Sequence, residues 1–199
     1  MEKKTYVVSQ QTKENLAASL KKLMVQKPLE KITIQEITSL CGIKRQHFYY
    51  HFEDIYDLMR WMFQREAMSL LEQYEGTQLW QDGILQLFQY LQENREVCLS
   101  AIHSEGRKYI KQFFATDIHA VIHRTVEQLA ETVYGKDCED LEKQIDLLTR
   151  FYVHALVTSM ESWLEDDFHY SPEEIVAFLD QMLTDHLRGA SLRVKGAKK

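Results

Sequence analysis

The segment from Lys44 to His51 consists mostly of side chains that donate hydrogen bonds. It contains Lys44, Arg45, Gln46, His47, Tyr49, Tyr50 and His51, and it has no acidic residue. Guanidinium, amide, imidazole and phenol groups are the donors that contact phosphate oxygens and base edges. Such side chains need an apolar anchor on the opposite face, and Ile43, Phe48 and Phe52 have the required spacing. The pattern therefore predicts a surface that binds nucleic acid.

Two short helices around a glycine turn would position this surface. Thr33 can cap the first helix, and Glu36 three residues later can complete a capping box. The apolar face of this helix would consist of Ile34, Ile37 and Leu40. Gly42 follows, where a left-handed backbone conformation commonly ends a helix. The arrangement predicts a helix-turn-helix whose second helix reads DNA.

The aromatic run at residues 48–52, preceded by the capping Thr33 and the Gly42 turn, resembles the TetR family of transcriptional regulators. The resemblance is specific over residues 10–63. It implies that Thr33, Tyr49 and His51 contact phosphates and that the base edges are read by Arg45, Gln46 and His47. Lys44 and Tyr50 complete the predicted DNA-binding set.

Two positions differ from the usual TetR pattern. Lys44 stands where many members have a capping Ser or Thr, and Ile55 stands where many have a phosphate-binding Lys. The body also resembles regulators of dihydroxyacetone-kinase operons, through Arg45-Gln46 and the segments that begin at Trp80 and Leu91. Members of that subgroup activate transcription or work through a partner protein, so the sign of regulation stays open.

Charge is distributed unevenly along the 199 residues. Residues 1–52 hold nine Lys and Arg against four acidic residues, whereas the whole chain has a net charge of −6. A basic N-terminal module on an acidic body directs DNA to one end. The start lacks an apolar signal core, and Cys41, Cys98 and Cys138 form no disulfide framework. We therefore expect a cytoplasmic protein.

Apolar residues recur at three- and four-residue spacing, which predicts an all-α, TetR-like fold of about nine helices. Residues 1–54 would form a three-helix DNA-binding domain, with a basic arm at residues 1–9. Residues 55–190 would form a helical effector-binding and dimerisation domain. Residues 191–199 would be a disordered basic tail.

A seam of apolar and small residues begins at Leu141 and repeats at alternating four- and three-residue steps, which is typical of helices that pack together. A second amphipathic helix follows, with Ser171 as its cap. Both could close the core of the monomer, but a helix-turn-helix protein generally reads two half-sites as a dimer. The predicted homodimer interface comprises Leu148, Tyr152, Ala155, Ser159, Phe178 and Met182.

An effector site is predicted in the same domain, because binding pockets are mostly apolar with few polar groups. The candidates are Trp80, Phe88, Tyr109, Phe113, Phe151 and His154. Imidazole and thiolate are natural zinc ligands, so a zinc-responsive regulator is an alternative. Its candidate ligands are Cys98, His103, His119 and His123. An organic effector is the preferred interpretation, and no resident cofactor is expected.

Two other classes of protein compete with a DNA-binding regulator. An enzyme is not expected, because the sequence has no phosphate-binding glycine loop, GxSxG, HExxH or CxxC motif. A helical interaction protein without DNA binding stays open. Salt dependence would separate the two, since phosphate contacts weaken steeply as salt rises.

Overall fold

The computed structural model describes residues 2–72, 80–134, 141–165 and 169–197, and this part of the chain is helical without β-strands. It contains nine helices, as the sequence predicts. Their bounds are α1 Glu2–Gln26, α2 Ile34–Leu40, α3 Arg45–Phe48, α4 from Ile55–Phe63 through a π-helical turn at Gln64–Met68 to Ser69–Glu72, α5 Trp80–Glu93, α6 Arg95–Ile102, α7 Arg107–Tyr134, α8 Leu141–Leu164 and α9 Pro172–Ala197. A 3₁₀ turn, Leu29–Lys31, lies between α1 and α2.

The chain folds into two compact units. The first comprises Met1–Met68 and Glu93–Phe113, so it combines the predicted DNA-binding segment with α6 and the start of α7. Helix α1 packs against α2, α4 and α6. The core of the first unit includes six fully buried side chains: Leu16, Leu20, Phe48, Leu58, Met59 and Met62. The sequence analysis divides the chain by function, into a DNA-binding and an effector-binding domain with a boundary at residue 54. That division differs from the two compact units and stays a prediction.

The second unit comprises Ser69–Gln92 and Phe114–Lys199. Phe88 of α5 is fully buried and meets Trp163 of α8 edge to face, with ring centroids 5.3 Å apart. The amide of Gln81 donates to Asp180 over 2.8 Å and joins α5 to α9. Tyr152 Oη of α8 also lies 3.2 Å from His186 Nδ1 of α9, so both apolar contacts and hydrogen bonds hold these three helices together.

The helices extend further at both ends than the sequence analysis predicts. Helix α1 begins at Glu2, so residues 2–9 of the predicted basic arm form its first turns. Helix α9 continues to Ala197, through most of the tail predicted to be disordered. Neither segment contains proline, and single glycines cost a helix only about 1 kcal/mol each. None of the described helices is both long and apolar enough to cross a membrane.

Candidate nucleic-acid interface

The first helix of the motif begins with the predicted capping box. The backbone amide of Glu36 donates to Thr33 Oγ1 at 3.3 Å, and the Thr33 amide donates to Glu36 Oε2 at 2.9 Å. Lys27 donates to Glu36 and, together with the Thr33 hydrogen bonds, lowers the pKa of that carboxyl to about 2. The Thr33 hydroxyl also donates to Glu36. A phosphate would therefore compete with Glu36 for the Thr33 hydroxyl proton.

Helix α2 ends at the predicted glycine turn. Gly42 has φ +68°, the left-handed conformation that glycine adopts without a steric penalty. The amides of Gly42 and Ile43 donate to the carbonyl oxygens of Ser39 and Thr38, which is a Schellman motif. Leu40 differs from the prediction, because 57% of its side chain is exposed. Only Ile37 of the three predicted apolar residues is fully buried.

Cys41, the C-cap of α2, attaches this turn to α1. Its Sγ donates to the carbonyl oxygen of Asn15 at 3.2 Å and lies 3.1 Å from Ser19 Oγ. These contacts are between residues that are far apart in sequence. The position of the turn relative to α1 is thus fixed by polar contacts as well as by the apolar core.

Phe48 and Phe52 anchor the second helix, as predicted. Phe48 is fully buried and Phe52 is nearly so, and their ring centroids lie 5.9 Å apart. Helix α3 is a single turn, Arg45–Phe48, and its N-cap Lys44 makes no side-chain cap hydrogen bond. The departure from the TetR pattern at Lys44 therefore leaves an exposed cation in place of a cap.

The opposite face of this segment is exposed. We call the side chains of Lys44, Arg45, Gln46, His47, Tyr49 and Tyr50 the recognition surface, and all six are exposed. Arg45 Nη2 donates to Tyr49 Oη at 2.9 Å, and Gln46 Nε2 donates to Tyr50 Oη at 3.4 Å. The rings of His47 and Tyr50 are 6.1 Å apart. The exposed face is therefore the one that the sequence predicts, whereas the two paired contacts are additional findings of the structure.

His51 lies at the edge of this surface and is half-buried. Burial, followed by the positive charges of Lys13 and His47, lowers the pKa of its imidazole below the ordinary value of 6.5. Lys13 of α1 was missed by sequence reasoning. Its ammonium lies 5.7 Å from the Phe52 ring centroid and 5.9 Å from that of Trp61. The fold therefore places a further cation beside the motif, and no local sequence signal distinguishes Lys13 from the other lysines of α1.

The start of α4 has no cation of its own. Asp54 caps the helix by accepting from the Asp57 amide at 2.8 Å. Ile55, the first residue of the helix, is half-buried. Its apolar side chain cannot replace the ionic phosphate contact of the lysine that many TetR proteins have here.

Exposed apolar residues distinguish helices α8 and α9 in the second unit. Phe151 of α8 and Phe178 of α9 are 63% and 62% exposed, and Leu147 and Met182 are exposed as well. We call these four residues the C-terminal apolar set. Of the other predicted interface residues, Leu148, Tyr152, Ala155 and Ser159 are half-buried.

The described effector candidates do not form a single site: Trp80 lines a small cavity, Phe88 lies in the core, and Phe151 and His154 line an open groove of about 530 Å³ on α8. Trp80 and Tyr152 line a cavity of about 20 Å³ together with apolar residues of α7, α8 and α9. Phe88 is buried against Trp163, whereas Phe151 and His154 are exposed. The side chains of Tyr109 and Phe113 lie outside the described residues. The cavity has room for about one water molecule, compared with roughly 300 Å³ or more in an ordinary ligand pocket.

The zinc candidates are divided between the two units. Cys98 and His103 belong to the first, and His119 and His123 belong to the second. Burial raises the pKa of the Cys98 thiol to about 12, which disfavours the thiolate that binds zinc. The His119 and His123 rings stack at 5.6 Å. Within the described residues, no three His, Cys, Asp or Glu side chains are grouped so that they could hold a metal ion.

A helix-turn-helix followed by further helices is an architecture that transcriptional regulators use. A family model described as the TetR transcriptional regulator C-terminal region matches residues 78–185, which is more than half of the chain. The chain therefore belongs to the TetR family, as its sequence motifs indicate.

A curated relative and two solved structures are similar to this chain. The HTH-type dhaKLM operon transcriptional activator DhaS of Lactococcus lactis subsp. lactis (strain IL1403) is 30% identical over 84 residues, which are 42% of this chain and 45% of DhaS. The match thus spans less than half of that relative. The structure of the dihydroxyacetone kinase operon activator DhaS has a TM-score of 0.67 at 22% identity and covers 89% of this chain and 96% of its own.

The second solved structure is NalD, the secondary repressor of the MexAB-OprM multidrug efflux pump in Pseudomonas aeruginosa. It has a TM-score of 0.58 at 14% identity, with 89% of this chain and 96% of NalD covered. These two structural likenesses show a common fold.

Proposed function

We propose that this chain binds operator DNA in a sequence-specific manner, as a homodimer, under the control of an effector or partner that acts on the second unit. The observation that carries the proposal is the recognition surface, whose donors are exposed while Phe48 directly beneath them is buried. No acidic residue interrupts it. A surface of this kind attracts phosphates and offers hydrogen bonds to base edges.

The side chains divide into two roles in this proposal. Lys44, Tyr49 and His51 contact the phosphate backbone and set the register of the protein on the duplex, with Lys13 as an additional cation. Arg45, Gln46 and His47 enter the major groove and read base edges, because helix-turn-helix proteins use the second helix for this purpose. Thr33 contacts a phosphate only by exchanging its hydrogen bond to Glu36.

A binding-site selection from random duplexes, followed by a salt series, tests the proposal. The affinity for the selected site should fall steeply as salt rises. Arg45→Ala should weaken that site by about 1 to 3 kcal/mol and relax preference at one base pair. Arg124→Ala removes an exposed cation from the second unit and serves as the matched control. Absence of binding at low salt would favour a helical interaction protein.

Dimerisation is supported by the C-terminal apolar set. Large side chains such as Phe151 and Phe178 are exposed in the isolated chain, and burial of apolar surface drives most protein association. A two-fold dimer would also present two recognition surfaces to two half-sites. Sedimentation of the purified protein should give the mass of a dimer, and a monomer at micromolar concentration would contradict the proposal.

Control by an effector is the least specified part of the proposal. An organic ligand that enters near Trp80 and Tyr152 must enlarge the small cavity and move residues of α8 or α9. A ligand that prefers the folded state raises the melting temperature. A thermal-shift screen with small metabolites and with zinc would therefore identify a ligand, and each positive compound should then change DNA affinity.

The name of DhaS describes an activator and that of NalD describes a repressor. We propose activation for this chain, because its sequence match is to DhaS. A reporter gene placed behind the selected operator should increase its expression when the chain is present. Decreased expression would assign repression and would leave the DNA-binding proposal intact.

A further inference from the structure

Two residue pairs on the recognition surface have the same spacing and the same chemistry. Arg45 donates from Nη2 to Tyr49 Oη at 2.9 Å, and its Cζ lies 5.7 Å from the Tyr49 ring centroid. Gln46 donates from Nε2 to Tyr50 Oη at 3.4 Å. Both pairs are separated by four residues, so each tyrosine follows its partner by about one helical turn. Each long base-reading candidate is therefore held by a tyrosine hydroxyl.

These hydrogen bonds leave the base-reading atoms available. Arg45 has five N–H donors and uses one on Tyr49, so two adjacent donors remain for O6 and N7 of a guanine. Gln46 uses one of its two amide hydrogens on Tyr50. Its other hydrogen and its carbonyl oxygen remain for N7 and N6 of an adenine. The contacts restrain both side chains without blocking their recognition groups.

Each tyrosine also keeps a free proton. A phenol hydroxyl that accepts a hydrogen bond can still donate its own hydrogen. Tyr49 and Tyr50 are exposed, so this hydrogen can reach a phosphate oxygen. One tyrosine can then bind the backbone and position a base-reading side chain at the same time.

We propose that Tyr49 and Tyr50 are positioning residues that set the base specificity of Arg45 and Gln46 respectively. The inference rests on the DNA-binding function proposed above. Long side chains such as Arg and Gln lose much rotamer freedom when they are fixed. A tyrosine that restrains them before binding reduces this cost for the correct base, so its hydroxyl contributes to discrimination as well as to affinity.

A crossed pair of substitutions tests this inference in the whole 199-residue chain. Arg45→Ala and Gln46→Ala first identify, by loss of preference in binding-site selection, the base pair that each residue reads. Tyr49→Phe and Tyr50→Phe then remove single hydroxyls and keep both rings. Tyr49→Phe should reduce discrimination about three- to tenfold at the Arg45 base pair and leave the Gln46 base pair unchanged.

Tyr50→Phe should do the reverse, with a reduction of about two- to fivefold at the Gln46 base pair because its hydrogen bond is longer. Each variant is thus the matched control of the other. Helical circular dichroism and the melting temperature should be unchanged, since both hydroxyls are on the surface.

Two results would overturn the inference in different ways. A uniform loss of affinity on all sequences, with both base preferences retained, would reduce Tyr49 and Tyr50 to phosphate contacts and leave the proposed function intact. A wild-type protein that selects no sequence at all would refute the proposed function together with the inference. A double-mutant cycle of Arg45→Ala with Tyr49→Phe should give a coupling at the preferred base pair that disappears when this pair is replaced.

Discussion

Each of the two units exposes a group of side chains that suggests a binding partner. The group in the first unit is polar, whereas the group in the second unit is apolar. The recognition surface of the first unit consists of cations, amides and phenols. The C-terminal apolar set of the second unit consists of Leu147, Phe151, Phe178 and Met182. Exposed polar donors suit a polyanion such as DNA, whereas large exposed apolar side chains suit another apolar surface.

The two surfaces are also held in place by different kinds of structural element. The recognition surface lies at the single-turn helix α3 above two buried rings, and the short helix α2 before it has a capping box and ends at a left-handed glycine. The C-terminal apolar set lies on two long helices, α8 and α9. A local defect should therefore damage the first surface much more than the second, and the following predictions use that difference.

Removal of the anchor beneath the recognition surface should have the largest effect. Phe48 is fully buried, and truncation of a buried Phe to Ala costs about 3–5 kcal/mol of unfolding free energy. Phe48→Ala should abolish operator binding while the protein stays dimeric in sedimentation. Phe48→Leu keeps most of the volume and should cost less than about 1.5 kcal/mol. Loss of the dimer in Phe48→Ala would show that the two surfaces are not independent.

A charge in the C-terminal apolar set should have the converse effect. Phe178→Asp places a carboxylate where the proposed interface is apolar, so dimerisation should weaken by about 2–4 kcal/mol. Sedimentation equilibrium measures this change. Val25→Asp is the matched control, because Val25 is also exposed but belongs to the first unit. Equal association of Phe178→Asp and the wild type would place the interface elsewhere.

Substitution of the glycine in the turn should have an intermediate effect on the free energy of unfolding. A Cβ at Gly42 would meet no atom within 4 Å, so the cost of Gly42→Ala comes from its φ of +68°. We expect a loss of about 1–2 kcal/mol in denaturant unfolding. Asn tolerates the left-handed region better than Ala, so Gly42→Asn should be less destabilised. An equal loss in both variants would indicate that backbone strain is not the cause.

The pH dependence of DNA binding should give the smallest effect. His51 has a lowered pKa because of burial and the nearby Lys13 and His47, so its imidazole is mainly neutral at pH 7. A phosphate beside the ring would raise this pKa, and the complex would then take up a proton. Affinity should therefore increase as pH falls from 7.5 to 6, by less than about tenfold per pH unit.

His51→Gln should flatten this pH profile, and His47→Gln controls for the neighbouring imidazole. An unchanged slope in His51→Gln would assign the proton to another group. Stability should respond with the opposite sign. The unfolded chain binds the His51 proton more tightly than the folded chain, so folding is weakened as pH falls from 6.5 towards the lowered pKa.

The sequence predicts those parts of the fold that depend on neighbouring residues. The predicted capping box at Thr33 and the predicted cap at Ser171 are both present, because each depends only on a hydroxyl and an acid three residues later. The left-handed turn at Gly42 is also predicted correctly, because it too depends on a local residue type. The burial of Phe48 and Phe52 follows from the four-residue spacing of two large rings in a short polar segment.

Other features depend on contacts that no local pattern specifies. Helix α2 has only seven residues, and two turns do not determine whether Leu40 faces the core. The position of Lys13 beside Phe52 and Trp61 results from the packing of α1 against α4. Of the missed contacts, only the i, i+4 pairs of Arg45 and Gln46 with tyrosine could have been found from spacing.

The first unit is assembled from two separate stretches of chain, which limits how such a protein can be recombined. Helix α6 lies after α5 in sequence, yet Val97, Cys98 and Ala101 are buried in the unit that contains the recognition surface. The loop after α6 is also attached there, since the Glu105 amide donates to Glu30 at 3.2 Å. A chimaera that transplants residues 1–54 alone would leave α1 without α4 and α6, two of the three helices it packs against. A transferable first unit must therefore include residues 55–68 and 93–113 as well.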